Sequence, residues 1–221
     1  MPSPDDETPD GEVPAPEAPV PEPAERLIAD LRDQGFGVLD DFVPHKTVVR
    51  LRTCADLRSI RGEFKPAAIG LGRTRQRRED IRGDFTCWPQ EPLYPAERET
   101  LALLEQLRLE LNRNLLLGLL DVEIHYASFP PGAAYARHVD QPEGTHQRRL
   151  SFALYLNLEW DAQAGGELRL YEAERAIADI EPRGGRLACF LTEGRVHEVL
   201  PAKRVRMALT GWFRVRGVSG E

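Results

Sequence analysis

The feature that most constrains the fold is a change of hydrophobic period near Leu120. Before it, apolar residues recur at helical spacing. Leu27, Ile28 and Leu31 run up to Gly35, Val48, Val49, Leu51, Cys54 and Leu57 follow Pro44, and Leu101, Leu104, Leu107, Leu111 and Leu115 lie within 95–117. A glycine just past the periodic residues and a proline just before them are the ordinary stop and start signals of helices. Gly37-Val38-Leu39 reads as a short strand between the first two. After Leu120 the runs become short and strand-like, at 122–129, 135–139, 149–157, 167–171, 176–181, 186–191, 195–200 and 204–215. Pro130-Pro131-Gly132, Gly165-Gly166 and Gly184-Gly185 mark turns among them. Helices first and strands afterwards exclude an alternating βαβ architecture, and eight short strands predict a jelly roll. The expected class is α+β with a mainly β core, buttressed by the N-terminal helices. The leucine stripe of 95–117 is read as a helix packed on a sheet, not as a dimerisation face.

A length of 221 residues suits one domain with appendages. Residues 1–23 hold eight prolines and seven acids with no Lys or Arg, a composition that cannot bury enough apolar surface to order itself. They are read as a disordered acidic leader to a domain over 24–221. The leader carries the whole net charge of −7, which leaves the domain balanced and excludes a polyanion binder by net charge. It lacks the basic and apolar parts of a secretion signal, and no apolar run approaches the roughly 20 residues that span a bilayer. A cytoplasmic monomer without membrane or nucleic-acid partners is expected. Cys54, Cys87 and Cys189 are far apart, which argues against a disulfide scaffold and a zinc ribbon. Cys189 reads as core and Cys87 as an exposed, oxidisable loop thiol.

The chemistry is carried by His138-Val139-Asp140, with His197 and Arg206 further on. Side chains two apart on a strand point to the same face, so His138 and Asp140 can reach one ion while Val139 turns away. Two imidazoles and one carboxylate leave three coordination positions open, which suits non-haem Fe(II) and not closed four-ligand zinc. A guanidinium buried beside His197 needs a planar anion, and the far carboxylate of a dicarboxylate cosubstrate supplies a bidentate one. His45, His125 and His146 have no partner spacing and are read as structural.

Five segments resemble the 2-oxoglutarate-dependent Fe(II) dioxygenases with a double-stranded β-helix, and among them the hypoxia-inducible-factor type of prolyl hydroxylase and its bacterial relatives. They are Tyr135 to Asp140; Tyr155-Leu156-Asn157 with Gly165 to Arg169; Ala178 to Pro182; His197 to Ala202 and on through Arg206 to Trp212; and Asp80 to Trp88, which resembles the finger loop folded over a protein substrate. The likeness covers about residues 64–216. It implies Fe(II) on His138, Asp140 and His197, with 2-oxoglutarate and O₂ as cosubstrates and ascorbate as a supporting reductant. It also implies that Arg206 and Tyr155 hold the distal carboxylate and that Leu168 and Trp212 line the pocket. Phe129 stands where relatives often have a tyrosine near the iron-side carboxylate, and Tyr126 is the candidate substitute. Arg82, Asp84, Trp88 and Arg148 are the implied substrate-contacting residues, with Asp84 and Arg148 as an ion pair closing the entrance and Gly83 letting the loop bend.

The implied reaction decarboxylates 2-oxoglutarate to succinate and hydroxylates a proline in a protein, with a translation factor such as elongation factor Tu as the target in a bacterium. Two other readings stay open: hydroxylation of a free amino acid or other small metabolite, and a non-catalytic sensor or binding module on the same fold. The arginines at 73, 75, 77, 78 and 82 suit a polypeptide grip better than a metabolite. Without an aromatic stacking platform beside them, they are a weak case for nucleic-acid demethylation.

Overall fold

A computed structural model describes residues 22–68, 78, 81–140 and 147–216. Its helices are α1 (Glu22–Gln34), α2 (His45–Ile60) and α3 (Pro95–Leu115). Its strands are β1 (Phe36–Leu39), β2 (Lys65–Pro66), β3 (Phe85–Cys87), β4 (Asp121–Phe129), β5 (Tyr135–His138), β6 (Arg148–Tyr155), β7 (Leu168–Glu172), β8 (Arg175–Ile180), β9 (Leu187–Leu191), β10 (His197–Val199) and β11 (Arg206–Arg214). They form a seven-stranded sheet, β1-β9-β6-β11-β4-β3-β2, and a four-stranded sheet, β5-β10-β7-β8. All strand pairs are antiparallel. This is the expected α+β class with a jelly-roll core. Residues 1–21, the bulk of the expected leader, lie outside the described residues, and α1 starts two residues before the expected boundary at Ala24.

The helices form where the apolar period predicts. Gly35 closes α1 at φ 75°, its N–H donating to Leu31 O, and Pro44 caps α2. Leu116 ends α3 in the left-handed region, and Asn112 and Arg108 then bind the backbone of Leu119 and fix the entry into β4. Leu104, Leu107 and Leu111 are buried against the large sheet, so the stripe is the buttress that its spacing predicts.

Alternation along the strands divides the large sheet into two faces. Leu150, Phe152 and Leu154 of β6, Leu187 and Cys189 of β9, and Met207, Leu209 and Phe213 of β11 pack with the helices. Ala153 and Tyr155, Ala188 and Phe190, and Ala208 instead join Leu168, Leu170 and Ile180 of the small sheet in a second core. The site lies on this inter-sheet side.

The short strands β2 and β3 add an edge to β4 that has no legible alternation in the sequence. β3 places Cys87 opposite Tyr126 on the helix side. Cys87 is therefore 1 % exposed, its thiol pushed up to about 11 by burial, and it is not the exposed oxidisable thiol expected of a loop. Beneath this edge Arg58 donates to Glu97 through Nε and Nη2 at 2.8 and 2.7 Å and to Glu63 at 2.7 Å. Glu97 also accepts from the backbone of Tyr94 and from the Tyr126 hydroxyl. Burial pushes the Glu97 carboxyl up, but these donors outweigh it and hold the pKa below the ordinary value. Among the described residues no helix is long and apolar enough to cross a membrane.

Candidate active site

His138 closes β5, Asp140 follows two residues on, and His197 opens β10 directly opposite His138 in the ladder. Asp140 Oδ1 lies 3.4 Å from His138 Nε2 and 3.6 Å from His197 Nε2. The donor atoms of the three residues lie within 4.8 Å of one another. Each histidine turns its Nδ1 to a backbone carbonyl, His138 to Ala136 O at 2.8 Å and His197 to Arg195 O at 3.2 Å. A hydrogen on Nδ1 leaves the Nε2 lone pair facing the shared centre. The other oxygen of Asp140, Oδ2, accepts from Ser151 Oγ at 2.8 Å and Trp212 Nε1 at 2.9 Å, so Oδ1 is the free donor. Burial pushes the Asp140 carboxyl up, but the two imidazoles outweigh it and hold it well below the usual carboxylate range. Burial lowers His138. The set is thus two imidazole nitrogens and one carboxylate oxygen turned to one centre, the donor chemistry of a divalent iron site with open positions.

Arg206 begins β11, on the same face as Trp212 and six residues before it. It is 3 % exposed, and its Nε donates to Gly166 O at 2.8 Å. Among the described residues no carboxylate lies within ion-pair distance of it. Its carbon Cζ stands 5.2 Å from the ring centroid of Phe129 and 5.1 Å from that of Tyr155. Burial lowers its pKa. Gly166 has φ +79°, and a Cβ there would approach Ala202 Cβ to 2.9 Å and Arg206 Cδ to 3.3 Å, so the close backbone approach needs glycine. Tyr155 is fully buried and its hydroxyl has no partner. A buried guanidinium and a buried hydroxyl side by side, neither satisfied by the chain, fit the distal carboxylate of 2-oxoglutarate. Leu168 and Trp212 line the same cavity. Tyr126 does not: strand parity turns it to the helix face, where its hydroxyl donates to Glu97 at 3.0 Å, so it cannot stand in for the hydroxyl that Phe129 lacks.

The rim departs from one expectation. Asp84 is buried and pairs with Arg82, two residues earlier, through Nε–Oδ1 at 2.7 Å and Nη2–Oδ2 at 3.0 Å. Arg148 instead lies over the Trp212 ring at 3.4 Å, donates to Asp140 O at 3.1 Å and sits 3.9 Å from Glu123. The Asp84–Arg148 pair is therefore replaced by one between neighbours in sequence, which needs no long loop closure. Gly83 does not act as a bend: its N–H donates to Ala134 O, and a Cβ there would stand 3.1 Å from Ala133 Cβ. Ile81 to Gly83 thus extend the small sheet beyond β5, with Arg82 bridged to Tyr135. Trp88 is 41 % exposed beside Trp212, their centroids 6.3 Å apart. The arginines at 73, 75 and 77, Asp80 and His146 lie outside the described residues.

Cavity residues that sequence reasoning did not assign to the site include Tyr135, Ser151 and His125. Tyr135 stacks on His138 with centroids 3.5 Å apart, beneath the Arg82 guanidinium. Ser151 and Thr192 are hydrogen-bonded to each other behind Asp140. His125, read as a structural histidine without partner spacing, lines the cavity. Its parity with Phe129 on β4 is the signal that places it there.

Fold and site together define a non-haem iron oxygenase. The pattern of the 2OG-Fe(II) oxygenase superfamily matches residues 124–214. A Pseudomonas putida prolyl-4-hydroxylase structure is 41 % identical with a TM-score of 0.78, over 86 % of this chain and 98 % of that one. A prolyl hydroxylase from Trichoplax adhaerens, solved with a hypoxia-inducible-factor degradation-domain peptide, is 26 % identical with a TM-score of 0.78, over 86 % and 88 %. Egl nine homolog 1 of Rattus norvegicus is 32 % identical over 201 residues, 86 % of this chain but 58 % of that protein's length. The chain belongs to the prolyl hydroxylase family of 2-oxoglutarate- and Fe(II)-dependent oxygenases. Membership brings Fe(II), 2-oxoglutarate and O₂ as cofactor and cosubstrates, and His138, Asp140 and His197 form the candidate iron site.

Proposed function

We propose that the protein is a protein prolyl 4-hydroxylase, coupling decarboxylation of 2-oxoglutarate to hydroxylation of a proline within a polypeptide. The observation that carries this is the pairing of an open three-donor site with a buried, carboxylate-free Arg206 in one cavity. Iron bound there supplies the O₂ chemistry. Arg206 and Tyr155 bind and orient the cosubstrate, Leu168 and Phe190 exclude water, and Ser151 and Trp212 hold Asp140 with one oxygen presented. The polypeptide reading is supported by the wall of residues 81–88, where a paired Arg82–Asp84 and a half-exposed Trp88 frame the mouth, and by the peptide complex of the Trichoplax relative. Three free, buried cysteines suit a reducing cytoplasm.

The test is conversion of 2-oxoglutarate to succinate by purified protein with Fe(II) and ascorbate, followed by a search for prolines one oxygen heavier. Elongation factor Tu is the first target to assay. Alanine at His138, Asp140 or His197 should each abolish turnover with the fold kept. Unfolding of all three variants, or a modified free amino acid without any modified protein, would overturn the proposal.

A further inference from the structure

Among the polar side chains lining the cavity, most already have a partner within the chain. Arg82 holds Asp84, Ser151 and Trp212 hold Asp140, Thr210 donates to Phe152 O and Arg206 to Gly166 O. Among those that are fully buried, His125 is the exception. It is 2 % exposed, it lines the cavity, and neither ring nitrogen bonds to a described residue, Nδ1 being sealed with no partner. An unmet buried imidazole costs on the order of a lost hydrogen bond, a cost that a ligand can offset.

Its place in the cavity is fixed by strand register. Along β4 the cavity face reads His125, Ala127, Phe129, and along β11 the opposing residues are Thr210, Ala208 and Arg206. Phe129 lies at the Arg206 end and His125 at the other, four residues away on the same face. There the His125 ring stacks on Trp212 at 5.2 Å, and Trp212 bonds Asp140, so the imidazole stands one ring from the ligand set. The Trp88 ring packs on it at 4.4 Å and is far more exposed, which sets His125 below the mouth where a polypeptide would pass. Burial, with Arg82 and Arg148 nearby, drives its pKa down to about 3, so the ring is neutral and carries one N–H.

We propose that His125 is a positioning residue of the cosubstrate pocket, donating its N–H to the metal-end carboxylate of 2-oxoglutarate while the Trp212 ring holds its plane. This rests on the cosubstrate reading above. Ala127 and Phe129, the other cavity-facing residues of β4, offer no hydrogen bond, and Tyr126 faces away.

The experiment is anaerobic binding of 2-oxoglutarate to Mn(II)-loaded protein, followed by tryptophan fluorescence and calorimetry. His125→Phe keeps a stacking ring and removes the N–H. It should weaken 2-oxoglutarate binding about tenfold, with Mn(II) affinity unchanged in the absence of cosubstrate. His125→Asn and His125→Gln return an amide N–H near the positions of Nδ1 and Nε2, and one of them should recover most of the loss. Unaltered cosubstrate affinity in His125→Phe, or a loss that tracks Mn(II) affinity, overturns the role. A change confined to the KM of a peptide substrate also overturns it, by moving His125 to the substrate side. If the native protein itself fails to bind 2-oxoglutarate, the cosubstrate reading falls first. Should His125→Phe not fold, the native Zn(II)-loaded protein carries the test. Its ¹⁵N-histidine spectrum, with His125 assigned through contacts to the Trp88 and Trp212 rings, should shift a ring nitrogen on adding 2-oxoglutarate, and an unmoved resonance overturns the proposal.

Discussion

Arg58 and Arg206 are equally buried, at 3 % exposure each, on opposite sides of the same large sheet. Arg58 meets two carboxylates with three hydrogen bonds, and one of those carboxylates is further tied to Tyr94 and Tyr126. Arg206 meets one backbone carbonyl, and the hydroxyl of Tyr155 beside it has no partner. A buried charge that the chain satisfies fixes packing, whereas one that it leaves short is a place for a ligand. The helix face of the sheet is thus a closed polar cluster and the inter-sheet face an open one.

The largest expected effect is on the closed side. Glu97→Gln removes the carboxylate under Arg58 and should lower the unfolding free energy at pH 7 by about 3–5 kcal/mol, read by urea denaturation. The pH dependence has a definite sign. Because the folded pKa of Glu97 is held below its ordinary 4.5, its contribution is complete above that value and is lost as pH falls through it towards the folded pKa. The gap between native and Glu97→Gln protein should therefore be widest near neutrality and shrink below pH 4.5. A gap independent of pH would show that the cluster is held by packing alone.

On the open side Arg206→Ala should do the reverse. Stability should change by less than about 1 kcal/mol or rise, since an uncompensated buried charge is removed. The affinity for 2-oxoglutarate should fall about tenfold to a hundredfold, the weight of charge-assisted bonds to one carboxylate. A large loss of stability with unchanged cosubstrate affinity would reverse the assignment of the two arginines. The smallest effect is at the mouth, which touches neither guanidinium. Trp88→Ala should lower hydroxylation of a peptidyl proline about fivefold and leave uncoupled decarboxylation of 2-oxoglutarate within about twofold. Equal loss of both activities would make the Trp88 stack with His125 part of the cosubstrate site's framework.

Much of the molecule was legible because its signals are local. The leucine stripe of α3, the stop at Gly35, the start after Pro44 and the alternation of β6, β9 and β11 follow from periods of 3.6 and 2 that neighbouring residues impose on one another. The pairing of His138 with Asp140 is of the same kind, since two residues apart on extended chain means one face. The strands β2 and β3 were not legible because two and three residues carry no period, and with them went the burial of Cys87.

What the sequence by itself determined is the α+β class, the parity of the longer strands and the identity of the donor types, all consequences of backbone geometry and side-chain chemistry within a few residues. Tertiary structure alone decided which residues from distant elements meet. It joined His197 to His138 through the β5–β10 ladder, gave Asp84 to Arg82 and not to Arg148, turned Tyr126 towards Glu97, and set His125 against Trp88 and Trp212. The physical reason is that parity fixes the face a side chain occupies, while only sheet register and the packing of one sheet on the other fix what stands opposite it.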